Sequence, residues 1–225
     1  MFLVILNSKI FGGVGAGIAI LVISIVSFTF IDDEQSPSTP SEIEKQSLPL
    51  GSGLGIHYTE TNHQLKLILE EKDIEMSSPI KLDTPRGIWT YCNFFEGEEQ
   101  KLVKFCTSTE LRDADDEFLG NIHAFGTPDE PKRMMVVIQV DPFLNQKADA
   151  KTVFSVLTDY VVCECWHEKN DEGISMDDWA EAYISSHIGA GKSSTTSNIV
   201  TLENRSIQMK LITNTEGYEW QLLIA

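Results

Sequence analysis

The sequence predicts an α+β domain, in which about two main helices pack on one face of an antiparallel sheet, preceded by a single transmembrane helix. Three observations carry this prediction. An uncharged apolar run fills residues 10–31, several later runs alternate apolar and polar residues, and two segments carry apolar side chains at helical spacing. The chain therefore divides into a short cytoplasmic end at 1–9, a transmembrane anchor at 10–31, a flexible spacer at 32–53 and an extracytoplasmic domain at 54–225.

The run from Ile10 to Ile31 is long enough to cross a bilayer. It contains 22 residues without a charge, and at about 1.5 Å per helical residue this length spans roughly 30 Å of hydrocarbon. A cleaved signal peptide has a shorter apolar region that ends at small residues, whereas this run ends on Phe30 and Ile31. We therefore expect a retained signal anchor. Lys9 precedes it and acidic residues follow, which puts the amino terminus in the cytoplasm and the main domain outside.

The anchor contains a possible helix-packing motif, and a flexible spacer follows it. Gly13 and Gly17 form a GxxxG pair, the spacing at which two membrane helices can approach closely and pack. Residues 32–53 are rich in Ser, Pro, Glu and Gly and nearly lack bulky apolar side chains, so they cannot form a core. We expect them to hold the domain away from the bilayer.

The composition is strongly acidic. The chain has 34 acidic and 17 basic residues, which gives a formal charge of −17. A field of this sign repels phosphate groups, so we expect no binding of nucleic acid. Apolar residues make up 42% of the chain, which is enough for a globular core and argues against disorder.

Alternating β-rich runs predict strands before and after the helices. Five strands are predicted before them, at residues 64–70, 88–95, 101–108, 117–125 and 133–140. The tail predicts a meander of three strands, with tight turns at Asn204–Arg205 and Glu216–Gly217. Because strands adjoining in sequence usually pair with each other, we expect these runs to form one antiparallel sheet.

Two helices are predicted between these groups of strands. The first covers roughly 148–166 and places a stripe of apolar residues on one face, at Val153, Phe154, Leu157, Tyr160 and Val161. The second begins with Ser175 and Asp178 as a capping-box pair and ends near Gly189.

Four cysteines lie in the part of the chain expected outside the membrane, where thiols tend to oxidise. Cys92 and Cys106 flank a predicted turn. If the flanking strands pair Phe95 with Val103, these two cysteines lie opposite each other and a disulfide can join them. A register shifted by three residues would part them beyond disulfide reach.

Cys163 and Cys165 lie near the end of the first predicted helix. At about 100° per residue their side chains point about 160° apart, so they cannot readily bond each other while helical. Cys163 shares a helix face with His167, which makes these three residues candidate ligands of copper or zinc, with structural disulfides or buried thiols as the alternative. Further ligands would have to come from distant residues after folding, such as Cys92, Cys106, His57, His63 or His123.

Short motifs offer one modification site and no catalytic residue. Asn204 begins an Asn-Arg-Ser sequon at a predicted turn, which suits a glycosylation acceptor. The run GAGKS at 189–193 follows a helix rather than a strand and lacks the first glycine of a phosphate loop. No serine lies in a nucleophile-elbow context.

The tryptophans could line a ligand groove, but their positions within predicted elements favour the core, at Trp89, Trp166, Trp179 and Trp220.

Three resemblances add expectations. The segment from Met176 to Ala225, a short helix followed by strands that end on an aromatic and apolar run, resembles the end of PsbP-like domains, which implies a sheet with flanking helices and an accessory or binding role. Residues 109–126, TELRDADDEFLGNIHAFG, resemble a strand pair of extracytoplasmic sensor domains of the Cache type. The layout of glycine-rich anchor, spacer and acidic domain with four cysteines is similar to single-pass envelope proteins of ammonia-oxidising archaea.

Together these features predict a membrane-anchored extracytoplasmic domain that binds a protein or a small ligand, as an accessory subunit of an envelope complex. This leading hypothesis is not enzymatic. The alternative is a copper- or zinc-handling envelope protein that uses Cys163, Cys165 and His167. A hydrolase whose site assembles from distant residues is the second alternative.

Overall fold

The computed structural model of the chain describes residues 53–169 and 173–225, without the side chains of His167 and Lys169. The predicted cytoplasmic end and anchor lie outside the described residues, as do Gly13, Gly17 and nearly all of the predicted spacer. Within the two described ranges, no helix combines the length and the apolar character that a membrane crossing requires.

The described residues form a nine-stranded antiparallel sheet, which confirms the predicted α+β class. Its strands are β1 (Glu75–Met76), β2 (Ile80–Leu82), β3 (Phe105–Arg112), β4 (Phe118–Gly126), β5 (Pro131–Val140), β6 (Ser194–Thr196), β7 (Val200–Leu202), β8 (Arg205–Asn214) and β9 (Gly217–Ile224). Their order in the sheet is β1-β3-β4-β5-β9-β8-β6, with β2 also paired to β3 and β7 also paired to β8.

Helices cover both faces of this sheet. They are α1 (Tyr58–Glu70), α2 (Pro85–Tyr91), α3 (Gly97–Leu102), α4 (Lys147–Val161), α5 (Trp166–Lys169) and α6 (Met176–Gly189). The long helices α1, α4 and α6 contribute to one core on one face, so three main helices lie there rather than the two predicted. The short helix α2 packs on the opposite face through Ile88, and α3 contacts that face through the pair of Glu99 with Arg133 of β5; the sequence did not predict either helix.

The main core lies between the sheet and α1, α4 and α6. Alternate residues of β5, such as Val136 and Ile138, are directed into it, and Trp220 of β9 is fully buried there beside the apolar stripe of α4. Each large apolar side chain that is buried in this way stabilises the fold by about 1.5–3 kcal/mol. The intervening residues of β5, such as Met135, belong to a second apolar cluster on the other face. The two clusters together explain why β5 is buried along most of its length.

The strand predicted at residues 64–70 is wrong, because these residues lie in helix α1. The leucines at alternate positions, Leu65, Leu67 and Leu69, suggest a strand, but Leu67 is 46% exposed. The buried positions of the whole segment are spaced by three or four residues, as one face of a helix requires, and they are Tyr58, Thr61, Leu65 and Leu69.

The strand predicted at residues 88–95 is also wrong. Pro85 begins helix α2 there, and the preceding Thr84 accepts a hydrogen bond at its Oγ1 from the backbone N–H of Gly87, at 3.2 Å. A proline in the first turn and a threonine at the N-cap are typical of a helix start, and they outweigh the β-rich composition that follows.

The later predictions agree more closely with the structure. Strands β4 and β5 correspond to the predicted strands at 117–125 and 133–140, and Ser175 caps α6 by accepting a hydrogen bond from the backbone N–H of Asp178 at 3.0 Å. Helix α4 ends at Val161, earlier than predicted. The tail forms the predicted meander as β7, β8 and β9, with its turns at residues 203–204 and 215–216.

Candidate functional site

The face of the sheet opposite the main core carries residues 83–104, which contain α2 and α3 and are called the α2–α3 segment below. A disulfide joins Cys92, the residue that follows α2, to Cys106 of β3, with 6.6 Å between their Cα atoms. The cysteines pair as considered from the sequence, but the reason differs. They do not face each other across a hairpin, since a helix rather than a strand precedes Cys92.

Two further interactions hold the α2–α3 segment. Within it, the amide of Gln100 donates a hydrogen bond to the backbone oxygen of Cys92 at 3.0 Å and accepts one from the backbone N–H of Phe95 at 3.1 Å. Towards the sheet, buried Arg133 of β5 donates to a carboxylate oxygen of Glu99 at 2.9 Å, and its guanidinium lies 4.7 Å from the centre of the Phe95 ring. The segment is therefore fixed at both helices.

The α2–α3 segment encloses a cleft of about 760 Å³. Its wall includes Trp89, which is 67% exposed, whereas the other three tryptophans are buried. The prediction that Trp89 belongs to the core is therefore wrong, because it lies on the outer side of a short helix. The cleft is lined mainly by apolar surface with polar groups among it, from Asp83, Pro85, Ile88, Trp89, Asn93, Phe95, Glu96, Gly97, Gln100, Lys101, Val103 and Lys104.

Beneath the α2–α3 segment, three side chains that can bind metals converge. One ligand atom each of Cys92, Cys106 and His123 lies within 4.8 Å of the other two, and all three residues are buried. These residues are called the buried Cys-Cys-His cluster below. His123 lies opposite Ser108 in the pairing of β3 with β4. Because Ser108 is two residues from Cys106, the histidine and this cysteine share one face of the sheet.

The imidazole of His123 is held in an apolar setting. Its ring centre lies 4.7 Å from that of Phe94 and 5.8 Å from that of Phe125. The side chain is only 5% exposed, and its Nδ1 atom has no hydrogen-bond partner among the described residues. Burial lowers the pKa of His123 to about 4, so the ring is neutral at pH 7. An unpartnered buried nitrogen costs about 1–3 kcal/mol, and this atom is one of several buried side-chain atoms without a partner among the described residues, together with the hydroxyls of Thr61 and Thr158.

The other buried histidine of the described chain has a different environment. The two ring nitrogens of His187 lie 2.8 Å from the hydroxyl of Thr195 and 3.0 Å from that of Thr213. Burial and the nearby Lys192 lower its pKa. Because both of its nitrogens have partners, His187 is a structural link between α6 and the sheet.

Cys163 and Cys165 form a second disulfide, contrary to the expectation that they cannot readily bond each other. That expectation assumed a helix to residue 166. Helix α4 ends at Val161, and the chain turns at Glu164, so the two side chains are free to meet. The disulfide occupies both sulfur atoms of the predicted copper or zinc ligands. The side chain of the third predicted ligand, His167, lies outside the described residues.

The remaining predicted sites lie apart from this cluster. Asn204 is exposed in the turn between β7 and β8, with a φ of 65°, whereas Ser206 of the sequon is buried and its backbone pairs with that of Ala225. His63 is exposed on α1.

Comparison with known proteins adds no relative from which a function could be transferred. No family model, curated protein or solved structure matches the chain. The resemblances to PsbP-like domains, Cache-type sensor domains and archaeal envelope proteins stay predictions.

Proposed function

We propose that the chain is a membrane-anchored binding domain that holds a small amphiphilic ligand in the cleft of the α2–α3 segment. The observation that carries the proposal is the exposed Trp89 on the wall of a cleft of about 760 Å³. Small-molecule sites typically enclose about 300–1,000 Å³ and combine apolar surface with a few polar groups. The cleft has this composition, since Ile88 and Phe95 supply apolar surface, Lys101 and Lys104 supply cations, and Asp83 and Glu96 supply carboxylates. Lys101 also pairs with Glu98, which leaves Lys104 as the lysine for an anionic ligand group.

An indole exposed to water at a concave surface is typical of a binding position. A flat apolar or aromatic group of a ligand can stack on Trp89, and such a pair contributes about 0.5–1.5 kcal/mol beyond the area that it buries. A polar or anionic end of the same ligand would meet Lys104. The disulfide and the Arg133–Glu99 pair fix the segment before a ligand arrives, which lowers the entropy cost of binding.

Acrylamide quenching of tryptophan fluorescence tests this proposal, because Trp89 is the accessible tryptophan of the described chain. The probe is anilinonaphthalene sulfonate, an anionic aromatic amphiphile, added to the full chain. We expect the dye to protect Trp89 from acrylamide, and Trp89→Ala to weaken dye binding about tenfold, the equivalent of roughly 1.4 kcal/mol.

Tyr91→Ala is the matched control, because Tyr91 is exposed on the same helix but does not line the cleft. Its dye affinity should equal that of the unaltered chain. Equal affinity of Trp89→Ala, or equal loss in both variants, would contradict ligand binding in the cleft.

The bilayer is the second partner in this proposal, through residues 10–31, with the binding domain on the outer side. We expect the full chain to stay with membranes during alkaline carbonate extraction, and a variant that lacks 10–31 to be released. Protease added to cells whose outer envelope has been made permeable, while the membrane that holds the anchor stays intact, should digest the domain. Release of the full chain by carbonate would contradict the anchor, and protection from protease would contradict the orientation.

The handling of copper or zinc is the second candidate function. The sequence assigns it to Cys163, Cys165 and His167, and this assignment stays a prediction. The observation that favours a metal function is a different one, the convergence of ligand atoms in the buried Cys-Cys-His cluster. A hydrolase whose site assembles from distant residues stays a prediction.

A further inference from the structure

We propose that reduction of the Cys92–Cys106 disulfide converts the buried Cys-Cys-His cluster into a zinc site with His123 as the third ligand. This inference rests on the metal-handling candidate function and is independent of ligand binding in the cleft. Cys92 and Cys106 would then be joined in one of two ways at the same place in the fold, by a covalent bond when oxidised or by a bound zinc ion when reduced.

The geometry is close to that of a three-ligand zinc site. Zinc binds thiolate sulfur at about 2.3 Å and imidazole nitrogen at about 2.0 Å, so tetrahedral ligand atoms lie roughly 3.5–3.8 Å apart. The three ligand atoms of the cluster already lie within 4.8 Å of one another. After reduction the two sulfur atoms have to move apart, and the 6.6 Å between the Cα atoms of Cys92 and Cys106 leaves room for the ion.

His123 provides the independent observation that points to a ligand. Its Nδ1 is buried without a hydrogen-bond partner among the described residues, although the same ring packs against two aromatic side chains, Phe94 and Phe125. His187 shows that this chain can satisfy both nitrogens of a buried histidine with hydroxyl groups. A bound cation would satisfy the nitrogen of His123.

Charge balance favours zinc over copper(I) in this position. Two thiolates and a neutral imidazole carry a charge of −2, which Zn²⁺ cancels, whereas Cu⁺ would leave one negative charge. The surroundings include Phe94 and Phe125, and the buried cation opposite Phe125, Arg133, already pairs with Glu99, so an uncompensated charge at the cluster is costly. Cys₂His with a water molecule at the fourth position is a known zinc ligand set.

The conversion consists of two balanced steps. A dithiol attacks the disulfide through a mixed disulfide, the bond between Cys92 and Cys106 breaks, and two thiols form as the dithiol becomes oxidised. Two electrons and two protons pass from the dithiol to the cysteines. Zn²⁺ then replaces the two thiol protons, which are released to water. Both cysteines are fully buried, so the α2–α3 segment has to open before a dithiol can reach them.

Zinc titration of the full chain tests this inference. Cys163→Ser and Cys165→Ser are introduced first, so that Cys92 and Cys106 are the remaining thiols. A phosphine then reduces the disulfide to two thiols and is itself oxidised to the phosphine oxide, whose oxygen comes from water. The excess phosphine is removed under anaerobic conditions. We expect one Zn²⁺ per reduced chain, none in the oxidised chain, and with Co²⁺ the ultraviolet charge-transfer band of thiolate ligands.

The third ligand is tested by His123→Phe, which keeps an aromatic ring in the packing. It should weaken zinc binding by at least about tenfold, since loss of even an outer-shell partner has an effect of this size. His63→Phe, at an exposed histidine, is the matched control and should bind zinc unchanged. Equal binding by the oxidised chain, no binding by the reduced chain, or unchanged affinity of His123→Phe would overturn the inference.

Near-ultraviolet circular dichroism covers the case in which reduction unfolds the domain. Zinc should then restore the signal of the reduced chain that has His123, and it should fail to restore the signal of His123→Phe. Restoration in both chains would show that the thiols bind without the histidine. The dye assay of the oxidised chain reports on the cleft alone, so the two proposals can fail separately.

Discussion

Replacing Arg133 by methionine is expected to lower the free energy of unfolding by about 3 kcal/mol. The guanidinium is buried on β5, pairs with Glu99 of α3 at 2.9 Å and lies over the ring of Phe95. Loss of one partner from a buried pair typically costs about 3–5 kcal/mol, and we expect the lower end because Glu99 is 29% exposed and can be hydrated. Urea unfolding of the full chain measures this change.

The control for this prediction is Lys101→Met on the same helix α3. Lys101 pairs with Glu98 at 2.5 Å, but both side chains are largely exposed, and pairs of this kind contribute at most about 1 kcal/mol. We expect the control to change stability by less than about 0.5 kcal/mol. A similar loss in both variants would show that burial does not determine the strength of the Arg133–Glu99 pair.

Removal of the Cys92–Cys106 disulfide should cost about 3 kcal/mol. The bond joins residues separated by 14 positions, and closing a loop of about 15 residues reduces the entropy of the unfolded chain by that amount at 25 °C. The variant is the double replacement Cys92→Ala and Cys106→Ala, compared with the oxidised chain by urea unfolding. Alanine avoids a polar group in this buried position.

The second disulfide provides an internal comparison for the first. Cys163 and Cys165 are separated by only 2 positions, and the same relation gives about 1.6 kcal/mol for a loop of three residues. The double replacement Cys163→Ala and Cys165→Ala should therefore cost about half as much. An equal or larger loss would mean that native contacts, rather than loop closure, determine the contribution of both bonds.

Local sequence patterns identified the regular parts of this fold. Strands β4 and β5, helix α6 with its Ser175 cap, and the terminal meander were all predicted, because each has an unbroken period or a strong boundary signal. Helix α1 was missed because leucines at alternate positions dominate a short window. Its helical period becomes visible only when Tyr58 and Thr61 are included.

The candidate sites were harder to predict because they depend on contacts between distant residues. The sequence offered His123 only as one of several histidines that could join a metal site. Its position beside Cys106 follows from the register of β3 against β4, which pairs Ser108 with His123. Such registers depend on the packing of both sheet faces, and no local spacing shows them. The cleft was missed for a related reason, since residues 88–95 were predicted as a strand.

The edge strands of the sheet have a consequence for the behaviour of the protein at high concentration. In the described part of the chain, β3 is bordered by β1 and β2, and β8 is bordered by β6 and β7, each of two or three residues. Long, flat edge strands can pair with strands of other molecules and start fibrils, whereas short edge strands present few unpaired backbone N–H and C=O groups. With a net charge of −17, molecules also repel one another. We therefore expect the folded domain to resist amyloid-like assembly.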